Sequence, residues 1–238
     1  MSQTLSLADS PSLDDLQVYL QRAARVDDGS VRLIAAGNVL LVYSAILYRR
    51  GLLDRSPTVL GLRTVALTEP LTLDTVVTVR SLLERIARVG AVPRDSAAPV
   101  LLPVPFETTT VSWAGISPPQ GGWHAVGVTD AAALDAAARS GIEEVAAAIP
   151  TGTGDALVQK VRSEVWGRPI DGLDLSDGPE VSPEVGADDG APRPMVPAGA
   201  GFAAVSLGFL AAGEAVRVFQ SGPWLRLSTS RGHVLVKT

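Results

Sequence analysis

Histidine is the side chain best suited to moving a proton near neutral pH, and this chain holds only two, His124 and His233. A histidine base needs a nucleophile within reach and an acid to orient it, and no serine stands in a Gly-x-Ser-x-Gly elbow. The two imidazoles are far apart in sequence and lack the His-Glu-x-x-His spacing of a zinc helix. His124 follows Trp123 on an expected strand and His233 would begin the last one, so both read as structural or surface residues. The absence of cysteine excludes disulfides, thiolate nucleophiles and zinc–sulfur sites.

The acidic pairs Asp14–Asp15, Asp27–Asp28, Glu143–Glu144 and Asp188–Asp189 look like acid–base pairs, but their settings favour solvated charge. Asp14 and Asp15 fall in the first turn of an expected helix, where negative charge offsets the helix dipole. Asp27–Asp28 precede Gly29 and suit a turn. The stretch "TGTGDALVQKV" (Thr151–Val161) sets two glycines before a helix N-terminus, a place where backbone amides can bind phosphate. It lacks both the full Gly-x-Gly-x-x-Gly spacing and the Walker lysine, so Gly152 and Gly154 read as a tight turn with Thr153 as N-cap. No catalytic, metal or cofactor-binding residue is assigned, and no cofactor is expected.

Two other patterns could make contacts. From Ala215 onward the tail carries Arg217, Arg226, Arg231 and Lys237 and no acid. In a strand, Arg217 and Arg226 would share the solvent face while Val216, Val218, Leu225 and Leu227 point inward. Trp224 lies beside them, and an aromatic among arginines can stack on a base. Against that, the formal charge of −5 and a pI near 5.1 disfavour general nucleic-acid binding. The second pattern lies in a helix expected near 198–212, where Ala200, Ala204, Gly208 and Ala212 recur every four residues. That face would admit another backbone closely, either inside the fold or across a homodimer contact. The candidate interaction residues are therefore Ala204, Gly208, Ala212, Arg217, Trp224, Arg226 and Arg231.

The elements that must carry these residues are legible from periodicity. "SLDDLQVYLQRAARV" places Leu13, Leu16, Leu20 and Ala24 at helical spacing, with Ser12 as N-cap. "SVRLIAAGNVLLVYSAILY" reads as a hairpin turning at Gly37–Asn38. "TVLGLRTVAL" and "LDTVVTV" read as two strands, the second running into the helix "RSLLERIARVG". The prolines of "PVLLPVPF" confine that strand to an edge or a connector. "TTTVSWAG" and "WHAVGV" restart the strand pattern. Thr129 or Asp130 then caps an alanine-rich helix whose apolar face is Leu134, Ala138, Ile142, Val145 and Ile149. The N-terminus shows no basic and apolar signal regions. The uncharged run Pro194–Gly213 can be helical only after Pro197, short of the ~20 apolar residues of a membrane span.

An internal echo organises these elements. "VRVFQSGPWLRL" (Val216–Leu227) aligns without a gap on "VRLIAAGNVLLV" (Val31–Val42), matching Gly222 with Gly37 and Leu225 with Leu40. "VTDAAALDAAARSG" from Val128 likewise aligns on "VTVRSLLERIARVG" from Val77. The expected fold class is α+β, with two α/β lobes, mainly antiparallel sheets and pseudo-symmetry between them. The first lobe spans 1–106. The second joins 107–168 to 198–238 across an acidic Pro/Gly-rich linker or loop, 169–197. Three stretches, "DDGSVRLIAAGNVL", "GIEEVAAAIP…VRSEVWGRP" and "GPWLRLSTSRGHVLV", resemble a group of uncharacterised conserved proteins from high-GC actinobacteria. The resemblance implies a bacterial, cytoplasmic protein and transfers no activity. The reading that follows is a non-enzymatic protein-binding module (adaptor, chaperone-like or scaffold) whose partner is a protein or a second copy, without a membrane. The alternatives are nucleic-acid binding through the basic C-terminal hairpin and an enzyme whose site assembles only in three dimensions.

Overall fold

The computed structural model describes residues 3–27, 29–51, 54–92, 95–108, 111–150, 152–175 and 194–237. The fold is α+β with antiparallel pairing throughout the registered strands, and the chain divides into two compact units. Unit 1 comprises Met1–Ile46 and Gly61–Ser117; unit 2 comprises Leu47–Leu60 and Pro118–Thr238.

In unit 1, which holds all of β2 (Ser30–Leu47) but its last residue and β3 (Thr58–Thr78) from Gly61 on, β1 (Thr4–Leu7) lies between β4 (Val100–Pro103) and β3, and β2 pairs with β3. Between them run α1 (Ser10–Val26) and α2 (Val79–Gly90). The cap of α1 is Asp9 and not Ser12. The Asp9 carboxylate accepts from the Ser12 amide at 2.8 Å and from its hydroxyl at 2.6 Å, which leaves Ser12 inside the first turn beside Pro11. The helix buries Leu13, Leu16, Tyr19, Leu20 and Ala23. The buried Tyr19 hydroxyl stands 3.2 Å from the Val42 carbonyl, 3.1 Å from the Gly61 carbonyl and 2.8 Å from Ser44 Oγ. Burial pushes this phenol above its ordinary range, so it stays a neutral donor.

The expected hairpin over Val31–Val42 is one run of strand, in which Gly37 at φ +65° redirects the chain within the exposed stretch Ala36–Val39. Likewise, the two expected strands over Thr58–Thr78 form one run, exposed at Thr68–Pro70. The strand expected at "TTTVSWAG" is replaced at Ser112–Gly115 by a 3-10 turn; Thr109 and Thr110 lie outside the described residues. Adjacent Trp113 and Ala114 are both buried, which the alternation of a one-sided strand does not allow. Arg32 fastens this turn. Its Nε and Nη2 donate to Asp74 at 2.8 and 2.7 Å, while Nη1 donates to the Ala114 carbonyl at 2.6 Å and Ser117 Oγ at 2.7 Å.

In unit 2, β5 (His124–Asp130), β6 (Ala215–Ser221), β7 (Trp224–Thr229) and β8 (Gly232–Lys237) form an antiparallel meander in the order β5-β6-β7-β8. Its helices are α3 (Ala131–Ala148), α4 (Asp155–Gly167) and α5 (Ala198–Ser206). Asp130 caps α3, accepting from the Ala132 amide at 2.9 Å. The buried face of α3 is Ala131, Leu134, Ala138 and Gly141, and Ile142 is turned outward at 43% exposure. Trp166 sets this rotation, because a Cβ at Gly141 would lie 2.2 Å from its ring. The cap of α4 is Gly154; Thr153 instead donates its hydroxyl to the Pro150 carbonyl at 2.6 Å. The ends of the expected acidic loop meet where Ile170 donates to Val196 and Ala198 donates to Arg168, at 2.9 and 2.7 Å. Its stretch 176–193, with Asp188–Asp189, lies outside the described residues. Among the described residues, no helix is long and apolar enough to cross a membrane.

The internal echo has counterparts in both units. Val31, Leu33, Leu40 and Val42 are buried in one, and Val216, Val218, Leu225 and Leu227 in the other. Gly37 and Gly222 both take left-handed backbone, at φ +65° and +54°. A Cβ at either glycine would meet nothing within 4 Å, so only conformation opposes a side chain there. Gly37→Ala and Gly222→Ala should therefore each cost about 1–2 kcal/mol in denaturant unfolding. A loss confined to one of the two would show that only one glycine is conformationally required.

Candidate functional site

The alternation of the unit 2 sheet sorts its residues. Val216, Val218, Leu225, Leu227, Val234 and Val236 share one face and are buried. On that side Phe209 closes on the sheet so tightly that a Cβ at Gly232 would lie 2.5 Å from its ring. The opposite face carries Arg217 and Phe219 from β6, Trp224, Arg226 and Ser228 from β7, and His233, Leu235 and Lys237 from β8; Trp224, Ser228 and Leu235 are buried there, so its open part lies around Arg217, Phe219 and Arg226. The cross-strand pairs are Phe219 with Arg226, Trp224 with Lys237, and Ser228 with His233.

Arg226 is the unusual residue of this face. Its guanidinium carbon lies 4.8 Å from the Trp123 ring centre and 4.6 Å from that of Phe219. Trp123 is held in turn by its indole N–H, which donates to the Pro119 carbonyl at 3.1 Å. Arg226 Nε is buried with no acceptor, and no hydrogen bond or ion pair joins this side chain to any described residue. Desolvation first and the Arg217 charge second push its guanidinium below the ordinary arginine range. Arg217 is exposed beside it, with its guanidinium carbon 5.9 Å from the Phe219 ring centre. The contributing segments, Pro118–Thr129 and Ala215–Thr238, contain no Asp or Glu.

The structure thus brings Arg217 and Arg226 together and separates the other expected residues from them. Trp224 shares the face but is buried at 4% exposure with Lys237 over its ring, so it offers no open platform to a base. Arg231 sits in the β7–β8 turn and donates to the Leu210 carbonyl at 3.4 Å. The small-residue stripe does not form one helix face. The helix ends at Ser206, Gly208 follows at φ +69°, and Ala212 is exposed beyond it. Ala200 and Ala204 are buried inside unit 2, where a Cβ at neighbouring Gly201 would lie 2.6 Å from the Leu134 carbonyl oxygen.

Trp123 and Phe219 escaped the sequence reading. Phe219 carried a signal, standing two residues from Arg217 and so on the same strand face. Trp123 carried none, because it reaches Arg226 across two strands.

Carboxylates do gather at one hollow of about 440 Å³, lined in part by Asp130, Asp174 and Glu214. Asp130 accepts from the Ala132 amide, and Glu214 Oε1 accepts from the Ser230 amide at 2.5 Å while its Oε2 is buried without a hydrogen-bond partner. His233 Nδ1 lies 3.0 Å from Ser228 Oγ, and His124 is exposed opposite Gln220. Asp15 accepts from Arg63 Nε at 2.8 Å, and Glu144 pairs with Arg168. Among the described residues no cluster of three or more His, Asp or Glu could hold a metal ion.

The fold is similar to that of bacterial sliding clamps. The DNA polymerase sliding clamp from Bacillus subtilis matches all of this chain and 64% of its own, with 10% identity and a TM-score of 0.50. Caulobacter crescentus pol III beta matches all of this chain and 65% of its own, with 13% identity and a TM-score of 0.47. A Helicobacter pylori beta clamp bound to a DNA ligase peptide matches 99% of this chain and 66% of its own, with 9% identity and a TM-score of 0.45. The chain thus spans just under two thirds of the length of each, and at these identities the likeness concerns the fold alone. Residues 118–238 match the family described as Domain of unknown function (DUF8185), and the chain belongs to that family. Residues 1–105 match a second, Domain of unknown function (DUF8010). No curated protein matches the chain.

The close approach of α5 to α3 is an internal packing device, and it is testable as one. Gly201→Ala should cost about 1–3 kcal/mol in chemical unfolding through overpacking. Light scattering should show an unchanged mass; dissociation of an oligomer with intact unfolding stability would instead assign the small residues to an interface.

Proposed function

We propose that the chain is a non-enzymatic protein-binding module, an adaptor or scaffold, that takes its partner on the outer face of the unit 2 sheet. The observation that carries this reading is Arg226, a half-buried cation set against two rings with no acceptor of its own. An interface that supplies the acceptor would bury Phe219, Trp123 and Arg226 together, and aromatic residues with arginine are the usual anchors of such contacts. The sliding-clamp likeness is compatible with a binding role and adds no partner. A cytoplasmic, actinobacterial setting belongs to the same proposal. Nucleic acid is the less favoured partner, because the chain carries a net charge of −5 and only Arg217 stands beside Arg226 as a second arginine on this face.

Affinity purification from the native cell with Phe219→Ala beside the wild-type chain tests the reading. A protein recovered with the wild type and reduced at least tenfold in the variant supports it. An identical set of recovered proteins, or turnover of a co-purified metabolite, counts against it.

A second reading, self-association, has its own observation. β4 pairs only with β1 among the described residues, and beside its open edge Leu101 and Phe106 are 61% and 89% exposed. Pro103 and Pro105 obstruct strand addition along this edge, so a second copy would cover these side chains by packing. If this face joins copies, Leu101→Lys with Phe106→Lys should halve the mass seen by light scattering; a wild-type chain already monomeric at high concentration would end this reading.

A further inference from the structure

We propose that the Arg226 cluster is a carboxylate-recognition site whose occupant is an acidic peptide segment of the partner protein. This rests on the protein-binding reading above and names the chemistry of the partner.

Three observations converge on it. The first is the setting of the guanidinium. Rings at 4.6 and 4.8 Å from its carbon restrain the planar group, and a restrained guanidinium loses less freedom when its terminal N–H groups meet a carboxylate. The second is the lack of a protein acceptor. Buried arginines normally lie against a carboxylate or carbonyl, because an unpaired buried donor costs stability. Here Nε is buried without a partner, and burial lowers the proton affinity of the group. The third is the charge of the surroundings. The chain carries 25 acidic residues, yet Pro118–Thr129 and Ala215–Thr238 contain none, and Arg217 stands on the same face as Arg226. A surface cleared of acid on an otherwise acidic chain is complementary to an acidic segment.

The mode of docking follows from the sheet. β5 pairs only with β6 in this unit, but a bulge between Ala125 and Gly127 disturbs its ladder, and Gly127 sits at φ +151°. Strand addition along β5 is therefore obstructed, and the peptide lies across the face over Phe219 and Trp123. A carboxylate there accepts from Arg226, and a neighbouring one meets Arg217.

The internal echo supplies a control. The position that aligns with Arg226 in the first half is Leu41. An arginine kept for a ligand costs the unbound protein stability, so Arg226→Leu should raise Tm by about 2–4 °C. An arginine kept for structure should lower Tm when replaced.

The binding experiment titrates the full chain with a glutamate-rich peptide, its glutamine counterpart and a single-stranded thymidine oligonucleotide of equal charge. The glutamate peptide is expected to bind, more weakly as salt rises, and the glutamine peptide not to bind. Arg226→Lys should weaken binding about tenfold, Arg226→Gln should abolish it, and Arg231→Gln should leave it unchanged. Undiminished binding by Arg226→Gln, tighter binding of the oligonucleotide than of the peptide, or a lowered Tm for Arg226→Leu would each overturn the proposal. Native-cell capture separates the two levels. A partner lost with Phe219→Ala but retained with Arg226→Gln removes only the carboxylate site. A partner retained by both variants removes the protein-binding reading with it.

Discussion

Unit 2 depends on how closely α5 lies on α3. Gly201 faces the Leu134 carbonyl where no Cβ would fit, and Gly199 faces the backbone and side chain of Trp166. Glycine contacts of this kind let a helix approach to backbone distance and reach the density of a native interior. The approach also places Phe202 against Trp166, with ring centres 4.4 Å apart. Beyond the end of α5, Phe209 seats against Gly232 of the last strand. One face of the sheet is thereby consumed. With a side-chain period of two, every residue that does not face Phe209 and its neighbours must appear on the other face, and there Arg217, Phe219 and Arg226 align. Trp224, Ser228 and Leu235 on that face are buried as well, which leaves the open chemistry to the β6 side.

Unit 1 handles its polar groups differently. Its centre accommodates the Tyr19 hydroxyl, which finds two carbonyls and Ser44 within hydrogen-bonding distance. Arg32, which aligns with Arg217 in the echo, is fully used. It holds Asp74 through two bonds and the 3-10 turn through two more. Asp74 is correspondingly held below the usual carboxylate range, by the Arg32 hydrogen bond first. The two arginines begin matching Val-Arg pairs, yet one is a structural clasp and the other is an exposed neighbour of Arg226. Equivalence of strand position does not carry equivalence of role, because the acid partner lies outside the repeated stretch.

Much of this architecture was legible in the residues. The two-lobed α+β class, the antiparallel sheets, and the inward set Val216, Val218, Leu225 and Leu227 all follow from strand alternation. The left-handed glycines 37 and 222 were marked by their place in matching turns. What failed did so for physical reasons. Ser12 was outbid as a cap by Asp9, whose carboxylate accepts from both the amide and the hydroxyl of Ser12. The face of α3 was rotated by a tryptophan more than twenty residues later in the chain, a contact no local period encodes. The four-residue spacing of alanine and glycine continues past the point where Gly208 turns left-handed and the helix has ended. Small residues have no periodic signature of their own once the helix stops, so spacing alone could not locate its end.

The candidate site shows the same division in sharper form. Its arginines were visible as alternating residues in an acid-free tail. The ring adjacent to them in sequence, Trp224, is buried, and the ring that holds Arg226 comes from the loop before β5. Pattern reasoning assigns residues to faces but cannot say which loop crosses a face. That distinction decides the chemistry. Without Trp123, Arg226 would be one more solvated cation on a sheet, whose unpaired donors water would satisfy at little cost. With the indole and Phe219 beside it, the guanidinium loses water and gains no acceptor. Natural sequences agree across levels of structure except where function demands otherwise. A charged side chain partly stripped of solvent and left without a counter-ion, in a protein with acid to spare, is a local conflict of that kind. Packing explains the residues of the inner face; on the opposite face it leaves Arg226 Nε without an acceptor.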